Sequence, residues 1–175
     1  MYRPPSFENR RRRFLALPTA LLAALLLDAC GGGKAPSIKI EAPEPPPQTR
    51  LVMEVSASPK LNLNTDGTAA PLVVRIYELS GDGQFLGSGF FPLFENDSST
   101  LGPDLIAREE IRVVPGETRT IEKTLNPATT TLGVLGAYRS TDQRRWRATV
   151  PVVPQTVNRL RLDLGPRELA LTPEP

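Results

Sequence analysis

The chain has 175 residues, no histidine, one cysteine and a formal net charge of +2 at pH 7. The side chain most used for proton transfer near neutral pH is therefore missing, Ser-His and Cys-His triads are excluded, and the common zinc ligand sets and intrachain disulfides cannot be built. Residues 1–29 hold five of the 21 basic residues and two of the 19 acidic ones, which leaves 16 basic and 17 acidic residues, a net of −1, in the remainder. The clustered positive charge on which nucleic-acid binding depends is thus confined to the first segment. Carboxylate-only chemistry is open in principle, but no acidic pair has a setting that suggests it. The expectation is a protein with no catalytic residue, no metal and no small-molecule substrate.

In chain order, the first element is a run of four arginines, Arg10 to Arg13, followed by the apolar stretch Leu15–Leu27 and then Asp28-Ala29-Cys30. A basic flank, about a dozen apolar residues and small residues before a cleavage point make a secretory signal over 1–29. The run is too short to span a bilayer, which needs about 20 apolar residues. It is long enough for a core helix, but the arginines before it and Gly31-Gly32-Gly33 after it favour the signal. Cys30 at its end resembles a lipobox, the acceptor of a diacylglyceryl group in bacterial lipoproteins, although Asp28 stands where a small neutral residue is preferred. Arg11-Arg12-Arg13-Phe14-Leu15 also resembles a twin-arginine signal, so the export route is open. A covalent lipid on Cys30 is the only cofactor expected.

Residues 30–50 contain three glycines and Pro43-Glu44-Pro45-Pro46-Pro47. Such a segment favours extended polyproline structure and reads as a tether. Ile38 and Ile40 could form a short strand within it.

From Leu51 to the C-terminus (51–175) the apolar period is two. Leu51, Met53 and Val55 fall on one face; so do Leu72, Val74 and Ile76, then Ile111 and Val113, then Ile121 and Leu125 after the Pro115-Gly116 turn. Leu132, Val134, Gly136 and Tyr138 follow, then Trp146, Ala148 and Val150, then Leu160, Leu162 and Leu164, with a final short strand over 168–171. Such alternation marks half-buried strands and fixes their register. Seven or eight of them predict an all-β, antiparallel β-sandwich. The segment 88–107 breaks the period and reads as one or two short helical turns, its crowded Phe90, Phe91 and Phe94 as core before an exposed aromatic patch.

Two segments invite functional readings. Asn62-Leu63-Asn64-Thr65-Asp66-Gly67 imitates the start of a calcium loop, but position twelve is Val73 where a bidentate acid is needed. The enclosing connection, 58–70, is thirteen residues long where a hairpin needs two to five, and long loops in compact domains are usually functional. Its apolar Leu61 and Leu63 with turn-forming Asn62, Asn64, Asp66 and Gly67 make a plausible protein-docking element; folding back onto the sandwich is the alternative. In Arg144-Arg145-Trp146-Arg147, Trp146 fits the core and the arginines a solvated face or strand edge.

Within this body Leu61-Asn62-Leu63-Asn64 is followed by Pro71-Leu72-Val73-Val74-Arg75-Ile76-Tyr77-Glu78-Leu79, Phe85, and Phe90-Phe91-Pro92-Leu93-Phe94-Glu95-Asn96-Asp97. Leu101-Gly102-Pro103-Asp104-Leu105, Val114-Pro115-Gly116-Glu117, Gly133-Val134-Leu135-Gly136-Ala137-Tyr138-Arg139 and Trp146-Arg147 complete the series. In this order and spacing the chain resembles the outer-membrane lipoproteins of bacterial type VI secretion systems, the TssJ, SciN and VasD-like family. The resemblance implies a transthyretin-like sandwich of two four-stranded sheets with small helical additions, anchored in the outer membrane and facing the periplasm. It implies a structural adaptor whose first long loop binds the periplasmic C-terminal region of the inner-membrane protein TssM, with TssL as an indirect partner. On this chain the contacts would be Leu61, Asn62, Leu63, Asn64 and Asp66, and the lipid would sit on Cys30. Gly31, rather than Asp, after the lipidated Cys resembles the pattern that sends lipoproteins to the outer membrane. The other function class is a periplasmic ligand-binding or carrier module on the same scaffold; a transthyretin-type hydrolase is disfavoured because its usual histidines are absent.

Overall fold

The computed structural model describes residues 46–139 and 145–174. Cys30, the signal segment and the proposed strand at Ile38 and Ile40 lie outside the described residues. Eight strands form two four-stranded sheets: β1 (Arg50–Ala57), β2 (Leu72–Leu79), β3 (Leu105–Val113), β4 (Thr118–Thr124), β5 (Thr131–Gly136), β6 (Arg147–Pro151), β7 (Val157–Leu164) and β8 (Leu169–Pro173). One sheet has the order β4-β1-β7-β8 and the other β3-β2-β5-β6. The expected sandwich is present, with one departure from antiparallel pairing. β1 and β7 run parallel, Arg50 opposite Val157 and Ala57 opposite Leu164.

The alternation buries what it should. Leu51, Met53 and Val55 on β1, Leu72, Val74 and Ile76 on β2, Leu132 and Val134 on β5, and Leu160, Leu162 and Leu164 on β7 meet in one core between the sheets. Each such side chain contributes about 1.5–3 kcal/mol by leaving water. A charge also points into this layer. Lys123 shares the inward face of edge strand β4 with Ile121 and Leu125, and its ammonium lies 2.7 Å from Glu78 on β2 and 3.6 Å from Glu109 on β3. Glu78 is buried and also accepts from the Asn126 amide (2.8 Å) and Thr129 Oγ1 (2.9 Å). This ion pair joins the two sheets along their β3/β4 edges, and an inward charge on an edge strand discourages further strand pairing.

The other face of the second sheet is covered as well. Between β2 and β3 the chain makes α1 (Gly83–Gly87), α2 (Phe90–Glu95), α3 (Asp97–Leu101) and a 3-10 turn (Gly102–Asp104). This helical segment begins earlier and contains more turns than its sequence suggests, and β3 starts at Leu105. It packs Phe85, Leu93 and Leu101 onto Tyr77, Leu79 and Leu135, forming a second core. Gly133 permits that packing, because a Cβ there would stand 3.1 Å from the Phe85 ring. Phe90 and Phe94 are partly buried and stacked 5.3 Å apart, whereas Phe91 is 62% exposed. The three phenylalanines are therefore not a common core.

Arg147 also departs from a solvated strand face. Its guanidinium donates to the carbonyls of Phe85, Leu86 and Ser88, so it fastens α1 to β6. Desolvation there holds its pKa below the ordinary value. Trp146 is partly buried against both cores, edge-on to Phe90 at 5.3 Å, and Arg145 stays exposed. Across the same layer Arg75 pairs with Glu110 at 2.7 Å and Asp97 at 3.5 Å, and Arg108 pairs with Asp97 at 2.5 Å. Burial works to raise the Asp97 pKa, but the Arg108 and Arg75 charges and the Ser98 amide outweigh it and hold it below its ordinary value.

Candidate functional site

Strand direction sorts the connections into two groups. The chain enters the sandwich at Arg50, and the β4–β5 and β6–β7 connections lie at that proximal end. The β1–β2 loop, the β3–β4 turn, the β5–β6 connection and the β7–β8 turn lie at the opposite, distal end. Eight strand residues at about 3.3 Å each separate the two ends by ~25 Å.

The long β1–β2 loop is tied down at its root. The Ser58 amide donates to Leu164 O (2.8 Å), the Gly116 amide to Ser58 O (3.2 Å), the Leu61 amide to Ser58 O (2.9 Å) and the Ala70 amide to Leu61 O (3.0 Å). Leu61 has no exposed area and joins the sandwich core. Asn62 is 5% exposed and adopts a positive φ of 47°, one of the few side chains for which that conformation is common. Its amide nitrogen donates to Pro71 O at 2.9 Å, and its Oδ1 accepts from the Arg139 amide at 3.0 Å. One side chain thus ties the loop to β2 and to the end of β5. Leu61 and Asn62, expected to touch a partner, lie beneath the loop and set its shape.

The remaining expected contacts lie farther out. The Leu63 amide donates to Pro166 O (3.1 Å), which pins the loop to the β7–β8 turn. Beyond it Asn64–Thr68 forms a closed tip: the Asn64 amide donates to Thr68 O (2.9 Å), and the Gly67 amide to Asn64 O (3.1 Å). Gly67, at φ 79°, supplies the left-handed residue the turn needs. Asp66 Oδ1 accepts from the Thr68 amide at 3.1 Å, an Asx turn. That bond keeps the exposed Asp66 carboxyl below its ordinary pKa, so it is charged at neutral pH. Thr65, Asp66, Gly67 and Thr68 are exposed, while Leu63 and Asn64 are half-buried. Asn64 Oδ1 is buried with no partner among the described residues.

A hollow of about 420 Å³ opens beside this tip, lined by Leu63, Asn64, Thr65, Asp66, Arg139 and Arg167. Arg139 and Arg167 are exposed, and sequence reading alone did not mark them. They come from the β5–β6 and β7–β8 connections, 28 positions apart in the chain, and only the strand order brings them together. The site is a hydrogen-bonded, polar protrusion with an acid at its tip and two arginines at its flank. Among the described residues no group of three or more His, Cys, Asp or Glu could hold a metal, and the calcium-loop pattern is used instead for turn bonds. Nor is any described helix long and apolar enough to cross a membrane.

The model of the family "Type VI secretion lipoprotein, VasD, EvfM, TssJ" matches residues 49–167. Among solved structures, the type VI secretion lipoprotein TssJ1 from Pseudomonas aeruginosa is 40% identical, covering 74% of this chain and 98% of its own, with a TM-score of 0.72. A chain in a structure of a type VI membrane complex is 25% identical over 72% of this chain and 99% of its own, with a TM-score of 0.64. A chain in the structure of the C-terminal domain (869–1107) of the type VI secretion protein TssM from EAEC is 24% identical over 70% of this chain and 99% of its own, with a TM-score of 0.60. At that identity the likeness concerns the fold alone. No curated protein sequence matches the chain.

Proposed function

This chain belongs to the type VI secretion lipoprotein family, a family of structural components and not of enzymes, and from that premise we propose that it is the outer-membrane anchor of a type VI secretion membrane complex. In this reading residues 1–29 are a signal peptide, Cys30 carries the lipid, residues 30–50 are a tether and residues 51–175 form the periplasmic domain. The chain binds the periplasmic C-terminal region of a TssM-like inner-membrane protein, and reaches TssL only through it.

The observation that carries the reading is the hydrogen-bonded tip Asn64–Thr68, presented on a buried root at the end of the sandwich away from the chain's entrance. A loop ordered before binding gives up little conformational entropy on docking, which favours affinity. Leu63, Asn64 and Asp66 make the contact, and Leu61 and Asn62 hold them in place. The 25% identical chain of matching fold in a structure of a type VI membrane complex supports a partner within such a complex.

Replacing the tip 64–68 with a two-residue turn tests this. Co-purification with the TssM periplasmic region is lost while the melting transition of the sandwich is kept; full-strength binding by a folded tip-less chain contradicts the assignment. Changing Cys30 to Ser moves the mature chain out of the membrane fraction, and unchanged fractionation after complete signal cleavage contradicts lipidation.

A further inference from the structure

The proximal end has a chemistry of its own. Three segments meet there, 46–49 (Pro-Pro-Gln-Thr), 125–130 (Leu-Asn-Pro-Ala-Thr-Thr) and 152–156 (Val-Val-Pro-Gln-Thr), and none contains a charged residue. They are held to each other: the Arg50 amide donates to Thr156 O (2.9 Å), the Gln155 amide to Thr49 Oγ1 (2.8 Å) and the Leu125 amide to Thr49 O (2.9 Å). Asn158 braces the β6–β7 loop from below, accepting from the Val153 amide at 2.8 Å and donating to Val153 O at 2.9 Å. Much of the loop backbone is thereby satisfied internally; charge begins at the strand ends, with Arg50 opposite Val157 and with Arg159 and Glu174 around Val153 and Val157, and within the loops Val153 is 60% exposed. Beside them a hollow of about 550 Å³ is lined by Pro46, Pro47, Leu125, Pro127 and Pro154 among others. The carboxylates on the helical side of this end, Asp82 and Asp104, accept bonds from Thr149 and Ser80. At the distal end, by contrast, Asp66, Arg139 and Arg167 stand in solvent.

We propose that these uncharged, proline-bearing loops rest against the lipid surface, with Val153 entering its interfacial layer. The inference rests on the reading of Cys30 as the lipid attachment point. Taking an ion out of water costs several kcal/mol, so loops free of charge are what a protein can press against an apolar boundary. Much of their backbone already has partners, which lowers the other main penalty. One valine and a proline-lined hollow are too little to hold a protein on a membrane unaided. They do not need to. Fifteen steps of chain lead from Cys30 to Pro45, the last residue before the described part. At about 3.1 Å per residue they reach at most ~50 Å, so the anchor makes the contact intramolecular and a weak one suffices. The consequence is orientation: with its proximal end on lipid, the domain points its distal loop away from the membrane.

The test uses the mature lipidated chain in phosphatidylethanolamine nanodiscs, with an environment-sensitive fluorophore attached at Val153→Cys or, as the reference, at Thr65→Cys. Both positions are exposed, and an acylated Cys30 does not react with the dye. Expected are a blue-shifted emission at position 153 and several-fold stronger quenching there than at position 65 by spin-labelled lipid, little changed between low and high salt because the loops carry no charge and the lipid is zwitterionic. Equal quenching at the two positions overturns the proposal, and so does a blue shift at 153 without lipid quenching, which means that protein covers the patch. The intact mass of the same sample reports the acyl group separately. If it is absent the anchoring assignment fails, and a Cys30→Ser chain labelled at 153 or 65 and held on phosphatidylethanolamine vesicles by an N-terminal polyhistidine tag and a nickel-chelating lipid then decides the surface contact, with stronger quenching at 153 supporting it and equality overturning it.

Discussion

The two ends of the sandwich are built from the same strands and differ in almost everything else. At the distal end the chain runs from Ser58 to Pro71 between β1 and β2, uses two left-handed residues and sets Asn62 between three segments to hold a polar tip clear of the sheets. At the proximal end the β4–β5 and β6–β7 connections are short, proline-bearing and without charge, and the long β2–β3 connection is folded into helical turns packed on the second sheet. A sandwich needs only brief turns to close. Of the two longest connections, the β2–β3 segment is spent on packing a second core, and the distal loop is the one held clear of the sheets. The outer arginines follow the same division: Arg139 and Arg167 flank the loop, whereas Arg75 and Arg147 are absorbed into the helical layer.

The contrast can be broken most strongly at the loop root. Leu61→Ala removes a side chain with no exposed area, so it should cost about 2–5 kcal/mol of stability. Val153→Ala, an apolar deletion at the other end, should stay within about 0.5 kcal/mol. Chemical denaturation of both variants reads the difference, and equal losses would mean that Leu61 is not the root. Asn62→Ala comes next: it strips two bonds from a buried side chain and places a β-carbon residue of low left-handed propensity at a positive φ. A loss of about 1–3 kcal/mol is expected, with weakened partner binding because the tip above it loosens.

Acid sharpens the comparison further. Burial alone would raise the Glu78 pKa, but the bonds from Lys123, Asn126 and Thr129 prevail and hold it below its ordinary 4.5. The folded chain therefore binds this proton less readily than the unfolded chain. The stability Glu78 lends is complete above its unfolded pKa and drains as pH falls through the folded one. Melting temperatures recorded from about pH 6 downward should drop in the parent and drop less in Glu78→Gln, which starts lower. Asp66→Asn at the exposed tip removes a solvent-screened contribution of the same sign and should change the profile less than Glu78→Gln does. The smallest stability effect of these changes belongs to Asp66→Ala itself, an exposed side chain whose loss leaves the core untouched. Its binding effect should nonetheless be a several-fold loss of affinity for the TssM periplasmic region, measurable by titration calorimetry.

Much of this arrangement is legible in the chain. Period-two alternation places Leu51, Val74, Val134 and Leu162 in the core, and the length of 58–70 marks the loop as surplus. Three things escape local patterns. Parallel pairing of β1 with β7 leaves no trace in either strand's own alternation, because a strand's faces are the same whichever way its neighbour runs. Burial of Leu61 comes from the fold-back of the loop, a tertiary event that turns an apolar residue without a strand into core. Lys123 looks solvated by type, and only the approach of Glu78 from the facing sheet shows that it points inward. The flanking pair Arg139 and Arg167 was invisible for the same reason: their proximity is a property of strand order.

The central claim is that the distal loop, and not the proximal end, meets the partner. Site-specific photo-crosslinking in cells assembling the secretion complex addresses it directly, with the crosslinking residue placed at position 65 or at position 153. The account predicts a covalent adduct between position 65 and the TssM periplasmic region, and none from position 153. An adduct from position 153 with none from position 65, in chains that fold and fractionate normally, would contradict it.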